Sequence, residues 1–337
     1  MTQRFYNLPF LPVNRYNIIK IPALTGISFV QHDDKEPNMK PKVALVKGGS
    51  RGENIARSLD LLGDDINLKG VKNLFIKVNL ISRDNQLGAT HVDGVRALLQ
   101  FLRERYLGKI TITEGLRGTA QVIFDKLGYP PLIKEFGVEF FDLHNGDFEL
   151  VEVYDANLQP MKLHFSRQII ESDYRIAIGP VKTHDVVGAT LSIKNLAMGA
   201  LADNGDKGRM HQGHPVHNLN LYLLAKMCPL QLSINDGFTG MENDGPIRGT
   251  GVDWGAAVSS CSPVAADCLA AQLMGFDIND IGYLWYLQKM GLGVSAINEM
   301  NIVGDNPEDC YRQFRPHSTF AEQRHWRDDR VAKLLGI

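Results

Sequence analysis

With 337 residues, 44% of them hydrophobic and 22% charged, the chain can bury one large core or two smaller ones, which excludes a disordered or fibrous protein. Lys and Arg (36) nearly balance Asp and Glu (38) for a formal net charge of −2. The whole-chain electrostatic footprint of a nucleic-acid binder is therefore missing, although a local basic pocket is compatible with this balance.

Cys228, Cys261, Cys268 and Cys310 show no C-x-x-C spacing. Neither a zinc ribbon nor an iron–sulfur run is written locally, and reduced, mostly buried thiols are expected. The first segment, MTQRFYNLPFLPVNRYNIIK, breaks its apolar residues with Asn, Arg and Pro before a signal-peptide core develops. No later stretch reaches the roughly 18 apolar residues that span a bilayer. A cytoplasmic protein without a membrane partner is expected.

After an irregular arm over residues 1–40, KVALVK (Lys42–Lys47) reads as a strand and Glu53–Leu62 as a helix. NLFIKVN (Asn73–Asn79), a helix over Val92–Tyr106, KITIT (Lys109–Thr113), a helix near Ala120–Leu127 and VEFFDL (Val138–Leu143) repeat the pattern. Short buried strands alternating with amphipathic helices predict an α/β fold, a mostly parallel sheet with helices on both faces. Between Glu149 and Phe165, the runs ELVEVYD and MKLHF alternate with period two, which predicts a small antiparallel insertion and marks a candidate lobe boundary near 145–170.

RIAIGPV (Arg175–Val181) resumes as a buried strand, Val187–Leu201 reads as a helix, and Val216–Met227 as a stronger one with Pro215 in its first turn. QLSIN (Gln231–Asn235) is a strand. The Gly-, Asp- and Asn-rich stretch from Asp236 to Gly255 reads as a long functional loop. An Ala-rich helix follows over Val264–Met274, and a last amphipathic segment lies around Ile281–Met290. The organisation is an arm (1–40), an α/β domain (41–304) and a tail (305–337) that Phe314 and Trp326 can dock on the body. Oligomeric state is not legible, because an apolar helix face reads the same against a partner or its own sheet.

In open α/β sheets ligands bind beyond the carboxyl ends of strands, which directs attention to the polar residues there. Lys77 and Asn79 end one strand. Lys77 either snorkels to solvent or, with amides at the next helix N-terminus, clamps a carboxylate or phosphate. Thr90 or His91 can cap that helix, and Glu114 is either a turn residue or a site carboxylate. The Gly48-Gly49 pair is not a phosphate loop, for lack of the Gly-Lys-Ser/Thr ending.

The densest segment is PVKTHDVVGATLSIKNLAMG (Pro180–Gly199). A buried strand runs into Lys182, Thr183, His184 and Asp185, and a helix would then set Thr190 and Lys194 on one face. Lysines in so apolar a stretch are costly to desolvate without an acidic partner, so a substrate anion or an internal carboxylate is expected beside them. His211, His214 and His217 recur every three residues. They read as metal ligands, or His211 alone acts as acid/base or substrate contact, since Pro215 starts a helix between them. Asp236, Glu242, Asp244 and Arg248 can bind a divalent cation or hold the lysines, and Asp244 and Arg248 also suit a surface turn. Asp267, amid alanines, is expected to pair with a lysine.

Taken together, IKVNL with GATHVDGVRAL, the KTH…TLSIKNLAMG block, His211, NDGFTGMENDGP and SPVAADCLAAQLMG resemble the domain of unknown function 362 family from about Lys42 to Phe276. The resemblance maps signature positions onto Lys77, Asn79, Lys182, His184, Lys194, Asn195, His211, Asp236, Gly237, Glu242, Gly245, Pro246 and Asp267. Many members resemble fusions to a ferredoxin-type module and are described as iron–sulfur centre proteins, but this chain lacks that module's cysteine runs. A more distant similarity, of residue type and not of motif, is to the nickel-pincer lactate racemase class.

Three classes of function follow. The first is an enzyme on a small anionic metabolite, with Lys182, His184, Lys194 and His211 as the catalytic set. Lys77, Asn79, Thr90, Glu114, Thr190, Asn195, Asp236, Glu242 and Asp267 would bind the substrate. The second is a non-catalytic metal or redox-cofactor carrier, and the third a module whose polar residues form an internal network. Neither a metal nor a cofactor is specified by the sequence.

Overall fold

The computed structural model describes residues 18–19, 39–81, 85–115 and 120–337. Apart from Ile18, Ile19, Met39 and Lys40, the arm expected over residues 1–40 lies outside the described residues. The strands are β1 (Ile18–Ile19), β2 (Lys42–Lys47), β3 (Asn73–Lys77), β4 (Lys109–Glu114), β5 (Glu139–Asp142), β6 (Phe148–Tyr154), β7 (Pro160–Ser166), β8 (Tyr174–His184), β9 (Gly188–Thr190), β10 (Leu232–Glu242), β11 (Thr250–Ser260) and β12 (Asn301–Gly304). The main sheet has the order β12-β2-β11-β10-β8-β3-β4-β5, with β9 paired to β8. Its pairs from β10 through β8, β3 and β4 to β5 are parallel, as is β12 with β2, whereas β11 runs antiparallel to both β10 and β2. The fold is thus α/β, built on a mostly parallel sheet.

Helices cover both faces: α1 (Arg51–Leu62), α2 (Val92–Arg103), α3 (Ala120–Lys126) and α4 (Pro130–Phe136) come first, then α5 (Arg167–Ile170), α6 (Ser192–Gly199), α7 (Asn204–Arg209) and α8 (His214–Met227), and last α9 (Pro263–Leu273) and α10 (Gly282–Lys289). Successive side chains of a strand point to opposite faces, and the two cores divide accordingly. Val43 and Leu45 join the core under α6, α8, α9 and α10, while Ala44 between them joins the core under α1 and α2. Ile176 and Ile178 likewise face α1 and α2, and Ala177 faces the other way.

The antiparallel insertion is the β6–β7 hairpin, with β1 alongside β6 in parallel. Val151, Val153, Leu163 and Phe165 of this hairpin are fully buried. Two expected segments come out differently. The helix foreseen over Val187–Leu201 is split: Gly188–Thr190 folds back on β8 as β9, and α6 begins only at Ser192. Glycine at 188 with φ 71° supports this sharp reversal. The stretch Asp236–Gly255 is not a loop, because β10 continues to Glu242 and pairs with β11, with a register shift between Gly237 and Thr239 absorbing the irregularity.

The tail carries α11 (Pro307–Cys310), α12 (Phe320–Gln323) and α13 (Asp329–Leu335), and Phe314 and Trp326 are buried against the body. No helix among the described residues is long and apolar enough to cross a membrane.

Candidate functional site

Strands β3, β4 and β8 are parallel and end at Lys77, Glu114 and His184, so their carboxyl ends bring these side chains to one edge of the sheet. Helix α6 crosses that edge. Its N-cap residue, Leu191, has no side-chain oxygen to offer the first amides. Two other elements supply the acceptors. Asn235 Oδ1 of β10 accepts from Ser192 N at 3.1 Å, and Asp267 Oδ2 of α9 accepts from Ile193 N at 2.8 Å. Asp267 also accepts from Ser233 Oγ and Asn235 Nδ2. It therefore caps α6 and pairs with no lysine, contrary to the sequence expectation: three donors, from α6 and β10, already satisfy the carboxylate. Burial nonetheless pushes its carboxyl up to about 6.

The inner part of this edge is a closed polar network. Lys77, 1% exposed, donates to Glu114 Oε1 at 2.6 Å, to Val78 O at 2.6 Å and to Asn195 Oδ1 at 3.2 Å. Burial lowers its amine, opposed by the attraction of Glu114. Glu114 Oε2 accepts from Leu80 N, and Oε1 from Gly115 N. Lys182 donates to Gly88 O at 2.8 Å and Asn79 Oδ1 at 3.2 Å. Burial, then the neighbouring Lys194 charge, brings its amine down to about 7. Thr90 Oγ1 bridges Asn79 N and Ile178 O. Gly199 lets α6 pass over this network, since a Cβ there would collide with Cε and Nζ of Lys77.

The outer part is different. Lys194 is 6% exposed and, among the described residues, its ammonium has no hydrogen-bonding or ion-pair partner. Burial lowers its amine to about 8, with Asp185 raising it and Lys207 lowering it. His184 is buried, and burial followed by the Lys194 charge lowers its imidazole to about 3. Its Nδ1 lies 2.9 Å from Asp185 Oδ1 and 3.0 Å from Val186 N, so each neutral tautomer has a partner, a carboxylate acceptor or an amide donor. Burial opposes ionisation of Asp185, but the hydrogen bond from His184 together with the charges of His184, Lys194 and His211 outweighs it and holds the carboxyl low.

His217 is fully buried, donates from Nδ1 to Met210 O at 2.8 Å, and leaves Nε2 without a partner. Its ring lies 4.8 Å from the exposed His211, whose Nδ1 bonds Lys207 O at 2.8 Å. Burial, then the Lys194 and His211 charges, pushes His217 well below the usual imidazole range. Thr190 Oγ1 is also buried without a partner. It sits at the end of β9, opposite Lys182, and so shares no helix face with Lys194.

Other sequence candidates go elsewhere. Asp236 Oδ2 pairs with Arg51 Nε of α1 at 2.9 Å, and burial raises its carboxyl against that pull. Glu242 pairs with Arg315 from the tail and accepts its backbone amide at 2.9 Å. Asp244 accepts from Ser318 Oγ at 2.8 Å, so the acidic residues of the expected loop do not hold the lysines. His91 caps α2 by accepting from Asp93 N. His214 bonds Val186 O from the first residue of α8.

The histidine trio does not form a metal ligand set. Among the described residues the donors close enough to share one ion are His164, Asp203 and Asp206. These are occupied internally, Asp203 capping α7 and Asp206 taking Arg209 and His164. The four cysteines are free and form no ligand group among the described residues, so the residues present do not fit an iron–sulfur centre.

Sequence reasoning missed Arg51, Arg315 and Gln323. Gln323 donates to His184 O at 2.8 Å and accepts from Gly188 N, which fastens the β8–β9 turn to the tail. No sequence signal pointed to these roles, because each depends on contacts with a distant segment.

The fold and this edge define an α/β protein with a buried lysine–histidine cluster at the carboxyl ends of parallel strands. The sequence profile of the domain of unknown function family DUF362 matches residues 74–272, more than half of the chain, and the chain belongs to that family. It is 22% identical over 255 residues to a thylakoid-associated protein, sll1697, of Synechocystis sp. (strain ATCC 27184 / PCC 6803 / Kazusa), covering 74% of this chain and 78% of that protein. The solved structure of the lactate racemase apoprotein from Thermoanaerobacterium thermosaccharolyticum is similar at 15% identity and a TM-score of 0.43. That likeness covers 72% of this chain and 58% of the other.

Proposed function

We propose that the protein is an enzyme acting on a small anionic metabolite, a carboxylate or phosphate, held at Lys194 with His184 and His211 as acid/base groups. One observation carries the reading. Among the described residues, Lys77, Lys182, Glu114, Asp206, Asp236, Glu242 and Asp267 are buried charged side chains, and each has a charged or hydrogen-bonding partner. Lys194 is the exception. A buried ammonium without a partner is costly, and a bound anion would offset that cost. The same anion would offset the Lys194 charge that helps hold the His184 imidazole low, and so bring it nearer the range in which it can take and return a proton.

The test is thermal stabilisation of untagged protein by a panel of carboxylates and phosphates. Wild type should gain melting temperature with at least one of them, and Lys194→Met should show none of that gain. Equal gains in both proteins would reject Lys194 as the anion's partner.

A second reading, a metal or redox-cofactor carrier, draws on the unpartnered Nε2 of His217 beside His211. Elemental analysis of protein purified without an affinity tag separates the two. Stoichiometric metal would favour the carrier, and its absence would remove that reading.

A further inference from the structure

We infer that Lys194 is an imine-forming lysine, and that the substrate is a small carbonyl compound bearing a negative group, of which a 2-oxo acid is the simplest form. The inference rests on the anion-site reading above and deepens it by naming the substrate class.

Three buried lysines meet at this edge, and their surroundings assign them different work. Lys77 gives its N–H groups to Glu114, Val78 and Asn195, and Lys182 gives two of its own to Asn79 and Gly88. Lys77, with all three N–H groups engaged, is held as an ammonium and has no lone pair to offer, whereas Lys182, although burial brings its amine down to about 7, stays tied to Asn79 and Gly88 through the two N–H groups that a neutral amine retains. Lys194 has no such acceptor among the described residues. Its amine can therefore lose a proton without breaking a hydrogen bond. With its pKa near 8, about a tenth is neutral at pH 7, roughly a few hundred times the fraction in an ordinary lysine.

Two further features bear on what it would attack. The charges of Lys182 and Lys207 act on Lys194 or are acted on by it, and they favour a carbonyl compound that is also an anion. The imidazoles of His184 and His217 and the carboxylate of Asp185 are close enough to exchange electrostatic influence with Lys194. They are the groups placed to move protons.

In the step itself the lone pair on Lys194 Nζ attacks the carbonyl carbon, and the carbon–oxygen π pair moves to oxygen, which takes the proton that the nitrogen releases. The hydroxyl of this carbinolamine then takes a proton from solvent and leaves as water while the nitrogen lone pair forms the C=N bond, so the added proton's charge stays on the protonated imine. The product is a C=N bond and one water, with no change of oxidation state.

The experiment is reductive trapping of the full chain with sodium cyanoborohydride and either pyruvate or glyoxylate, read by intact mass and peptide mapping. One adduct per chain, on Lys194, is expected. It should form faster than on the exposed lysines, with a rate that climbs to pH 8 and then levels, and it should be suppressed by excess phosphate. Lys194→Arg should lose this adduct and keep the slow background, and circular dichroism would confirm its fold. Adducts spread over surface lysines, with Lys194 no faster than they are, would overturn the inference. If Lys194 stays unmodified while carboxylates still stabilise wild type and not Lys194→Met, the imine falls and the anion-site reading stands. Loss of both results removes both.

Discussion

Replacing Lys194 with methionine should make the ligand-free protein more stable at neutral pH, and the size of the gain follows from the burial of its ammonium. Methionine keeps the apolar stem and removes the charge. The amine falls from 10.5 to about 8 in the fold, and at about 1.4 kcal/mol per unit the charged form costs about 3 kcal/mol. With an unfolding entropy of about 2.1 cal/mol/K per residue over 337 residues, the variant should melt about 4 °C higher. The pH dependence has a definite sign. Below about 8 the amine is protonated in folded and unfolded chains alike, and the cost is complete. Between about 8 and 10.5 the folded chain releases the proton while the unfolded chain keeps it, so wild-type stability climbs and the gap closes. Thermal melts of both proteins in low-salt buffer without phosphate or carboxylate, from pH 7 to 10.5, measure this. A variant no more stable than wild type at pH 7, or a gap that stays constant with pH, would mean that the ammonium is already paired or hydrated. The argument for an anion at Lys194 would then lose its basis.

Three other changes probe the scaffold. Glu114→Gln leaves Lys77 buried without its charge partner, and should cost about 3–5 kcal/mol in chemical denaturation; a loss under about 1 kcal/mol would show that the pair is hydrated. Gly199→Ala drives a methyl into the end of Lys77, so a loss of about 1–3 kcal/mol is expected, and an unchanged melting temperature would contradict the close passage of α6. Asp267→Asn keeps the side-chain shape but removes a carboxyl whose pKa is raised from 3.8 to about 6. The folded wild type therefore holds a proton that the unfolded chain has released between about 4 and 6, and its stability relative to the variant should fall as pH rises through that window. A stability difference independent of pH there would refute the raised carboxyl.

How far the site could be read in advance depended on whether a residue's role was set by its own element. Lys77 and Glu114 end strands whose apolar runs are plain, and the rule that polar residues gather past parallel strand ends located them. Their pairing could not be read, because it depends on the lateral order of β3 and β4 in the sheet. Asp267 was seen to be buried but given the wrong partner: the need it meets is that of the amides at the start of α6, created by a leucine in the N-cap position. The β10–β11 hairpin was concealed by its own composition, since Gly237, Asp244 and Gly251 are turn-forming types and the pairing that overrides them is non-local. Arg315 and Gln323 were out of reach altogether, as they act from the tail on Glu242 and on the backbone of His184.

The contrast between Lys194 and Asn195 shows how one short helix serves both parts of this edge. Adjacent residues of an α-helix diverge by about 100°. Once Asn235 and Asp267 fix the start of α6, the direction of each later side chain is fixed as well. Asn195 accepts from Lys77 and holds the inner network closed. Lys194, one position earlier, is carried instead toward His184 and Asp185. If the cap served only to stabilise the helix, weakening it would lower stability without selecting among side chains. If it also orients Lys194, Asp267→Asn should weaken anion-induced stabilisation even at pH 4, where the wild-type carboxyl is itself largely protonated and the difference in charge is smallest. The remaining difference is geometric, an amide nitrogen in place of an oxygen facing backbone donors, and that misfit acts on the direction of α6.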